Sequence, residues 1–152
     1  MSSALVGVAA LAGYAFVAGL ARGAESGSAS AAPWVVFGAG IAMVTMVLAT
    51  SLFAHAAVML ETLNADPQVA KTLWLIEHGS WALIAPPQIA FILGVSAVSL
   101  RESRFPRWFG LTGLPVAVGL VANMAWGTGS IAGAGLLWVL ALAVIVLIRP
   151  LR

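Results

Sequence analysis

The stretch WLIEHGSWALIAPPQ, residues 74–88, decides how the rest of this chain is interpreted. Two ionisable groups, Glu77 and His78, lie here inside a strongly apolar run that also holds two tryptophans, a double proline and a glutamine. An ionisable side chain inside a membrane-spanning segment is energetically expensive, and by default it marks a candidate functional site. The stretch therefore predicts a membrane helix that carries a polar site.

The composition predicts that lipid is the solvent for most of the chain. Of the 152 residues, 62% are hydrophobic and 8% are charged, whereas soluble domains carry about 25% charged residues. The seven basic residues lie at the ends of apolar stretches, so the clustered basic face of a nucleic-acid-binding protein is missing. The absence of cysteine excludes disulfides, thiolate metal sites and a cysteine nucleophile.

Five apolar stretches have the length of a transmembrane helix, since about 20 apolar residues cross roughly 30 Å of hydrocarbon. They predict an all-α membrane protein in which residues 1–152 form a single integral membrane domain, a compact bundle of five transmembrane helices. The predicted helices cover residues 4–21, 34–60, 67–100, 107–125 and 131–148.

Prolines and one aspartate predict where these helices begin and where they bend. Pro33 suits the first turn of the second helix, and Asp66 can cap the third helix with Pro67 at its first position. Pro86–Pro87 in the third helix and Pro115 in the fourth remove backbone donors, which predicts kinks there.

The distribution of charge predicts the orientation of the bundle, because cytoplasmic loops carry an excess of Lys and Arg. With residues 101–107, RESRFPR, placed inside, Lys71 is the one basic residue of seven that lies outside. The acidic loop with Glu61 and Asp66 then faces out, the N-terminus is outside and the C-terminus is cytoplasmic. No basic residue precedes the first helix, so we expect a membrane helix there rather than a signal peptide.

Polar side chains from three helices are predicted to lie in the outer half of the bundle. At a rise of about 1.5 Å per residue, His55 and His78 lie roughly 8–10 Å below the outer surface, and Gln88 lies near the midplane. Helical spacing puts His78, Trp81 and Gln88 on one face of the third helix. The hypothesis is an outward-facing ligand pocket built from six residues, His55, Glu77, His78, Trp81, Gln88 and Asn123.

A structural interpretation of the same residues stays open beside the pocket. Tryptophans near a bilayer surface are typical of an aromatic belt, and a histidine or glutamine in a bundle commonly makes an interhelical hydrogen bond. Glu77 has His78, Lys71 or lipid headgroups as candidate partners. Because adjacent helical residues point about 100° apart, we expect Glu77 and His78 to diverge rather than to act together.

A cofactor site is the third interpretation. His55 and His78 at one depth are candidate axial ligands of haem b, yet such a site needs the two backbones roughly 12 Å apart, given metal–imidazole bonds of about 2.0 Å. Helices in direct contact lie about 8–10 Å apart, so a divalent metal fits the space better than haem.

Two motifs carry a resemblance to a family. They are DPQVA at residues 66–70 and FPRWFG at residues 105–110, each at the start of an apolar helix. Over roughly residues 60–125 the chain resembles uncharacterised bacterial multi-pass membrane proteins with a DUF4386-like domain. The resemblance implies a location in a bacterial cytoplasmic membrane, and it implies no activity.

The function predicted from these observations is non-enzymatic, because no nucleotide-binding glycine fingerprint or HExxH motif occurs and no catalytic residue is predicted. We expect an accessory subunit or a small-ligand-binding protein without a cofactor, whose partners are the bilayer and either further copies of itself or a larger membrane complex, with no nucleic acid. The alternative is a metal- or haem b-binding redox or metalloenzyme subunit that uses His55 and His78.

Overall fold

The computed structural model describes residues 3–25, 31–63, 66–102, 105–126 and 132–148, and within them it contains helices and no strand. The predicted all-helical fold is therefore confirmed. The five helices are α1 (Ser3–Glu25), α2 (Ala32–Thr62), α3 (Pro67–Glu102), α4 (Arg107–Trp126) and α5 (Ala132–Ile148).

Three of the helices, α2, α3 and α4, are long and apolar enough to cross a membrane. Their most apolar windows have mean hydropathies of 2.1, 1.8 and 1.5. Shorter apolar stretches occur in α1, at Val8–Leu20, and in α5, at Gly133–Ile148. Within the part of the chain that the structure describes, three of the five predicted spans thus have the length and hydropathy of a transmembrane helix.

The predicted helix starts are confirmed at two positions. Asp66 caps α3, since its Oδ1 accepts a hydrogen bond from the Gln68 backbone N–H over 2.9 Å. Pro33 lies in the first turn of α2. Both α3 and α4 continue through their internal prolines, Pro86–Pro87 and Pro115, so these residues do not end the helices.

Helix α3 is the centre of the bundle. It contacts α2, α4 and α5, while α1 packs against α2. Buried residues recur at every seventh position along α3, a spacing that keeps side chains on one face of a helix. These residues are Ala70, Glu77, Ile84, Phe91 and Val98.

Glycines set how closely the helices approach one another. A Cβ atom on Gly40 of α2 would lie 2.7 Å from both γ-methyl carbons of Val17 in α1. A Cβ atom on Gly110 of α4 would lie 2.7 Å from the Cβ atom of Ser99 in α3. Residues without a side chain at these positions let the backbones come close enough for extensive van der Waals contact.

We expect Gly40→Ala to destabilise the bundle, because its methyl group would collide with the stiff, β-branched side chain of Val17, which is 1% exposed. Overpacking of this kind costs about 1–3 kcal/mol. The control is Gly38→Ala on the same helix, where a Cβ atom meets nothing within 4 Å. Thermal unfolding in one detergent should show a lower melting temperature for Gly40→Ala alone, and equal melting temperatures would contradict the close contact of α1 and α2.

Candidate functional site

Glu77 is a buried carboxylate, with 8% of its surface exposed. The heptad spacing of α3 explains the burial, because Glu77 lies one and two repeats before the core residues Ile84 and Phe91. Its neighbours in sequence, Leu75 and Ile76, are exposed. The carboxylate therefore lies on the inner face of the helix, beside an exposed apolar face.

Glu77 and His78 form a pair, with His78 Nδ1 lying 3.0 Å from Glu77 Oε2. The expectation that the two side chains diverge is wrong. Their Cα–Cβ bonds differ in direction by about 100°, but both side chains are long enough to meet around the helix. Of the partners considered for Glu77, His78 is thus confirmed as one.

The pair joins a buried group to an exposed one, since the His78 side chain is 79% exposed and that of Glu77 is 11% exposed. An ionised carboxylate only accepts hydrogen bonds, so Nδ1 of His78 is the donor. In a neutral imidazole the other ring nitrogen, Nε2, is then an acceptor. A ring nitrogen at the surface is in this way linked to a buried carboxyl group.

Contacts along α2 and α3 fix the register of these two antiparallel helices. Val36 of α2 packs on Gly94 of α3 near one end, where a glycine Cβ atom would lie 2.9 Å from a γ-methyl carbon. Near the other end, the indole Nε1 of Trp74 donates a hydrogen bond to Glu61 Oε1 over 3.0 Å. Interpolation between the two contacts pairs residue 55 of α2 with about residue 79 of α3.

His55 is exposed on α2, and this register places it level with His78. Over the described ranges, no group of three or more His, Cys, Asp or Glu side chains is arranged to hold a metal ion.

Gln88 is fully buried, at 0% exposure. Its side-chain amide faces Gly135 of α5, where a Cβ atom would lie 2.5 Å from the amide carbon. Among the described residues, neither Oε1 nor Nε2 has a hydrogen-bond partner. A buried polar group without a partner costs about 1–3 kcal/mol, and the Gln88 side chain has two such atoms.

The remaining predicted residues divide by burial. Asn123 of α4 is buried. The backbone of Trp81 lies in α3, and its side chain is outside the described residues.

Gln88 lies roughly 16 Å along the axis of α3 from Glu77, at about 1.5 Å per residue. The structure thus brings Glu77 and His78 together and puts Gln88 at a separate, deeper position.

Two apolar spaces were missed by sequence reasoning. A cavity of about 300 Å³ lies between α1, α2 and α5 and has Met43, Ser51 and Leu136 in its lining. A groove of about 550 Å³ runs between α4 and α5, where the rings of Phe109 and Trp138 stack. Each is lined by residues of α5 and of neighbouring helices, and the uniformly apolar sequence of α5 does not specify which helices it packs against.

Comparisons with known proteins do not assign a family. The chain matches no family model, and neither the search of curated proteins nor that of solved structures gives a match. The resemblance to DUF4386-like proteins therefore stays a prediction.

We expect Gln88→Met to stabilise the protein by about 1 kcal/mol, because it removes two buried polar atoms that lack partners while it keeps an unbranched side chain. The control is Gln68→Met, at an exposed position of the same helix, which should leave stability unchanged. Thermal unfolding of both variants in one detergent measures the difference. Destabilisation by Gln88→Met would mean that the amide is hydrogen-bonded in the folded protein.

Proposed function

We propose that the chain is a multi-pass protein of a bacterial cytoplasmic membrane. It forms a compact bundle of five transmembrane helices with the N-terminus outside and the C-terminus inside. The length and hydropathy of α2, α3 and α4 support this assignment. So does the large amount of exposed apolar surface, which is rare on soluble monomers and includes Leu11, Leu52, Val118 and Leu147.

The proposed topology predicts where reporters fused to the chain will lie. A reporter after Arg152 should be cytoplasmic, and one inserted at Asn64 should be external, because basic loops stay inside. Paired alkaline phosphatase and green fluorescent protein fusions measure the two sides, since each is active on one side only. An external C-terminus, or a cytoplasmic Asn64, would contradict the topology.

Within this membrane protein, the pair formed by Glu77 and His78 is the proposed site of a non-enzymatic, small-ligand-binding function. The observation that carries the proposal is the 3.0 Å contact between a buried carboxylate and an exposed imidazole. In the proposed topology the pair lies roughly 8–10 Å below the outer surface, at about 1.5 Å per residue. A ligand from outside would therefore reach His78 first.

The hydrogen-bonding groups of the pair favour one class of ligand. Because Nδ1 of His78 donates to Glu77, the pair offers Nε2 and carboxylate oxygens, which are acceptors. A complementary ligand carries N–H donors and a positive charge, and its apolar part packs on the exposed Leu75, three residues before His78 on the same side of the helix. The ligand class that meets these conditions is a small organic ammonium compound.

A second candidate function uses the same contact. A histidine that binds a metal usually donates its other ring N–H to a carboxylate, and Glu77 holds His78 in that manner. His55, which is exposed and level with His78, would supply a second ligand to a divalent metal. Haem b would require α2 and α3 to separate beyond the 8–10 Å typical of helices in contact.

Calorimetry with a series of alkylammonium ions, on protein purified in mild detergent, tests the leading function. We expect Glu77→Gln and His78→Gln each to weaken binding about 10–100-fold, the effect of losing a charge-assisted hydrogen bond. His55→Gln is the control and should bind like the wild type.

The outcome that contradicts the leading function is ammonium binding that survives Glu77→Gln. The same purified protein is examined by elemental analysis and visible spectroscopy. Stoichiometric metal, or a haem absorption band, that disappears in both His55→Gln and His78→Gln would establish the second candidate instead.

A further inference from the structure

The groove between α4 and α5 is a preformed apolar site. It is an open groove with a volume of about 550 Å³. Its lining is formed by α4 and α5 alone and is mostly aliphatic and aromatic. The lining residues are Trp108, Phe109, Thr112, Leu137, Trp138, Leu140, Ala141, Val144 and Ile145.

Hydrogen bonds and ring stacking hold the floor of the groove in place. The rings of Phe109 and Trp138 stack with centroids 4.5 Å apart and planes inclined by 20°. Trp138 Nε1 donates to Thr112 Oγ1 over 3.1 Å, and the Thr112 hydroxyl donates to the Phe109 carbonyl over 2.7 Å. Because these polar groups satisfy one another, the floor presents a hydrocarbon surface to an occupant.

One end of the groove lies at the end of the bundle where α3 finishes and α4 begins, and exposed arginines lie at that end. A smaller cavity of about 180 Å³, lined by Pro106, Trp108, Ile145 and Ile148, shares two lining residues with the groove and extends it to the start of α4 and the end of α5. Arg107 lies at the start of α4 and is exposed, as is Arg101 in the last turn of α3.

We propose that this groove binds an anionic phospholipid, with an acyl chain along the floor and the phosphate at the basic end. The argument is charge complementarity, because the exposed Arg101 and Arg107 lie at the end of the bundle that the apolar groove reaches, so a complementary occupant combines hydrocarbon with negative charge. The proposal rests on the proposed membrane topology, in which this end is cytoplasmic. Arginine recognises phosphate with paired hydrogen bonds, and basic sites on that side of membrane proteins bind anionic headgroups.

Native mass spectrometry of the full chain in detergent tests the proposal, with dioleoyl phosphatidylglycerol and dioleoyl phosphatidylcholine added in equal amounts. The wild type should retain the phosphatidylglycerol preferentially. Arg107→Gln should lower its retention about fivefold, the effect of one basic residue near an anionic headgroup. The matched control is Lys71→Gln, at the start of α3 and so at the opposite end of the bundle, which should have no effect.

A second variant tests the apolar part of the site. Ala141 lines the groove and is exposed, so Ala141→Phe should fill the groove, displace the lipid and leave the fold intact. Ala49→Phe is its control, because Ala49 is also exposed but lies on α2. Equal retention of both lipids by the wild type, or a preference unchanged in Arg107→Gln and Ala141→Phe, would overturn the proposal.

Failure of the lipid proposal can be distinguished from failure of the proposed function. A reversed orientation in the fusion experiment would overturn the topology on which the lipid proposal rests. Loss of lipid preference with the orientation intact would overturn the lipid site alone, and ammonium binding at Glu77 and His78 does not depend on the groove.

Discussion

Contact between α3 and glycines on its neighbours is the constraint on which the rest of the structure depends. Ser99 packs on Gly110 of α4, and Gln88 packs on Gly135 of α5. On α3 itself, Gly94 is the residue on which Val36 of α2 packs. Small residues at such contacts let the helix backbones approach closely enough for extensive van der Waals packing. One helix can therefore contact three others, which accounts for the deep burial of its central turns.

This packing also determines where polar side chains become accessible. The contact of Gly113 with Ser96 and Ile92 sets an antiparallel register in which Trp126, the last residue of α4, lies beside about residue 81 of α3. The turns that contain Glu77 and His78 extend past the end of α4 and keep α2 as their neighbour. Gln88, deeper in the bundle, is enclosed by α5. The polar site accordingly lies where α3 reaches beyond α4.

Local sequence patterns are sufficient to predict the helices and to single out Glu77 and His78. They are not sufficient to predict that the two side chains contact each other. Helical spacing gives the direction of each Cα–Cβ bond, whereas the pair depends on how far the side chains reach. The burial of Glu77 could have been predicted, because Ala70, Ile84 and Phe91 share its seven-residue spacing. The lack of a hydrogen-bond partner for the Gln88 amide could not have been predicted, because the amide faces Gly135, a residue of another helix. No pattern within α3 specifies that contact.

The two proposed sites have a common physical origin. Between its ends, α3 packs tightly against its neighbours, and that region contains the fully buried Gln88, Phe91 and Ile92. At one end α3 outreaches α4 and exposes an imidazole that is linked to a buried carboxylate. At the other end α4 and α5 leave a groove between them, whose floor is formed by the stacked rings of Phe109 and Trp138. The two proposed sites thus lie at opposite ends of α3, on either side of its tightly packed centre, with an acidic group at one end and basic groups at the other.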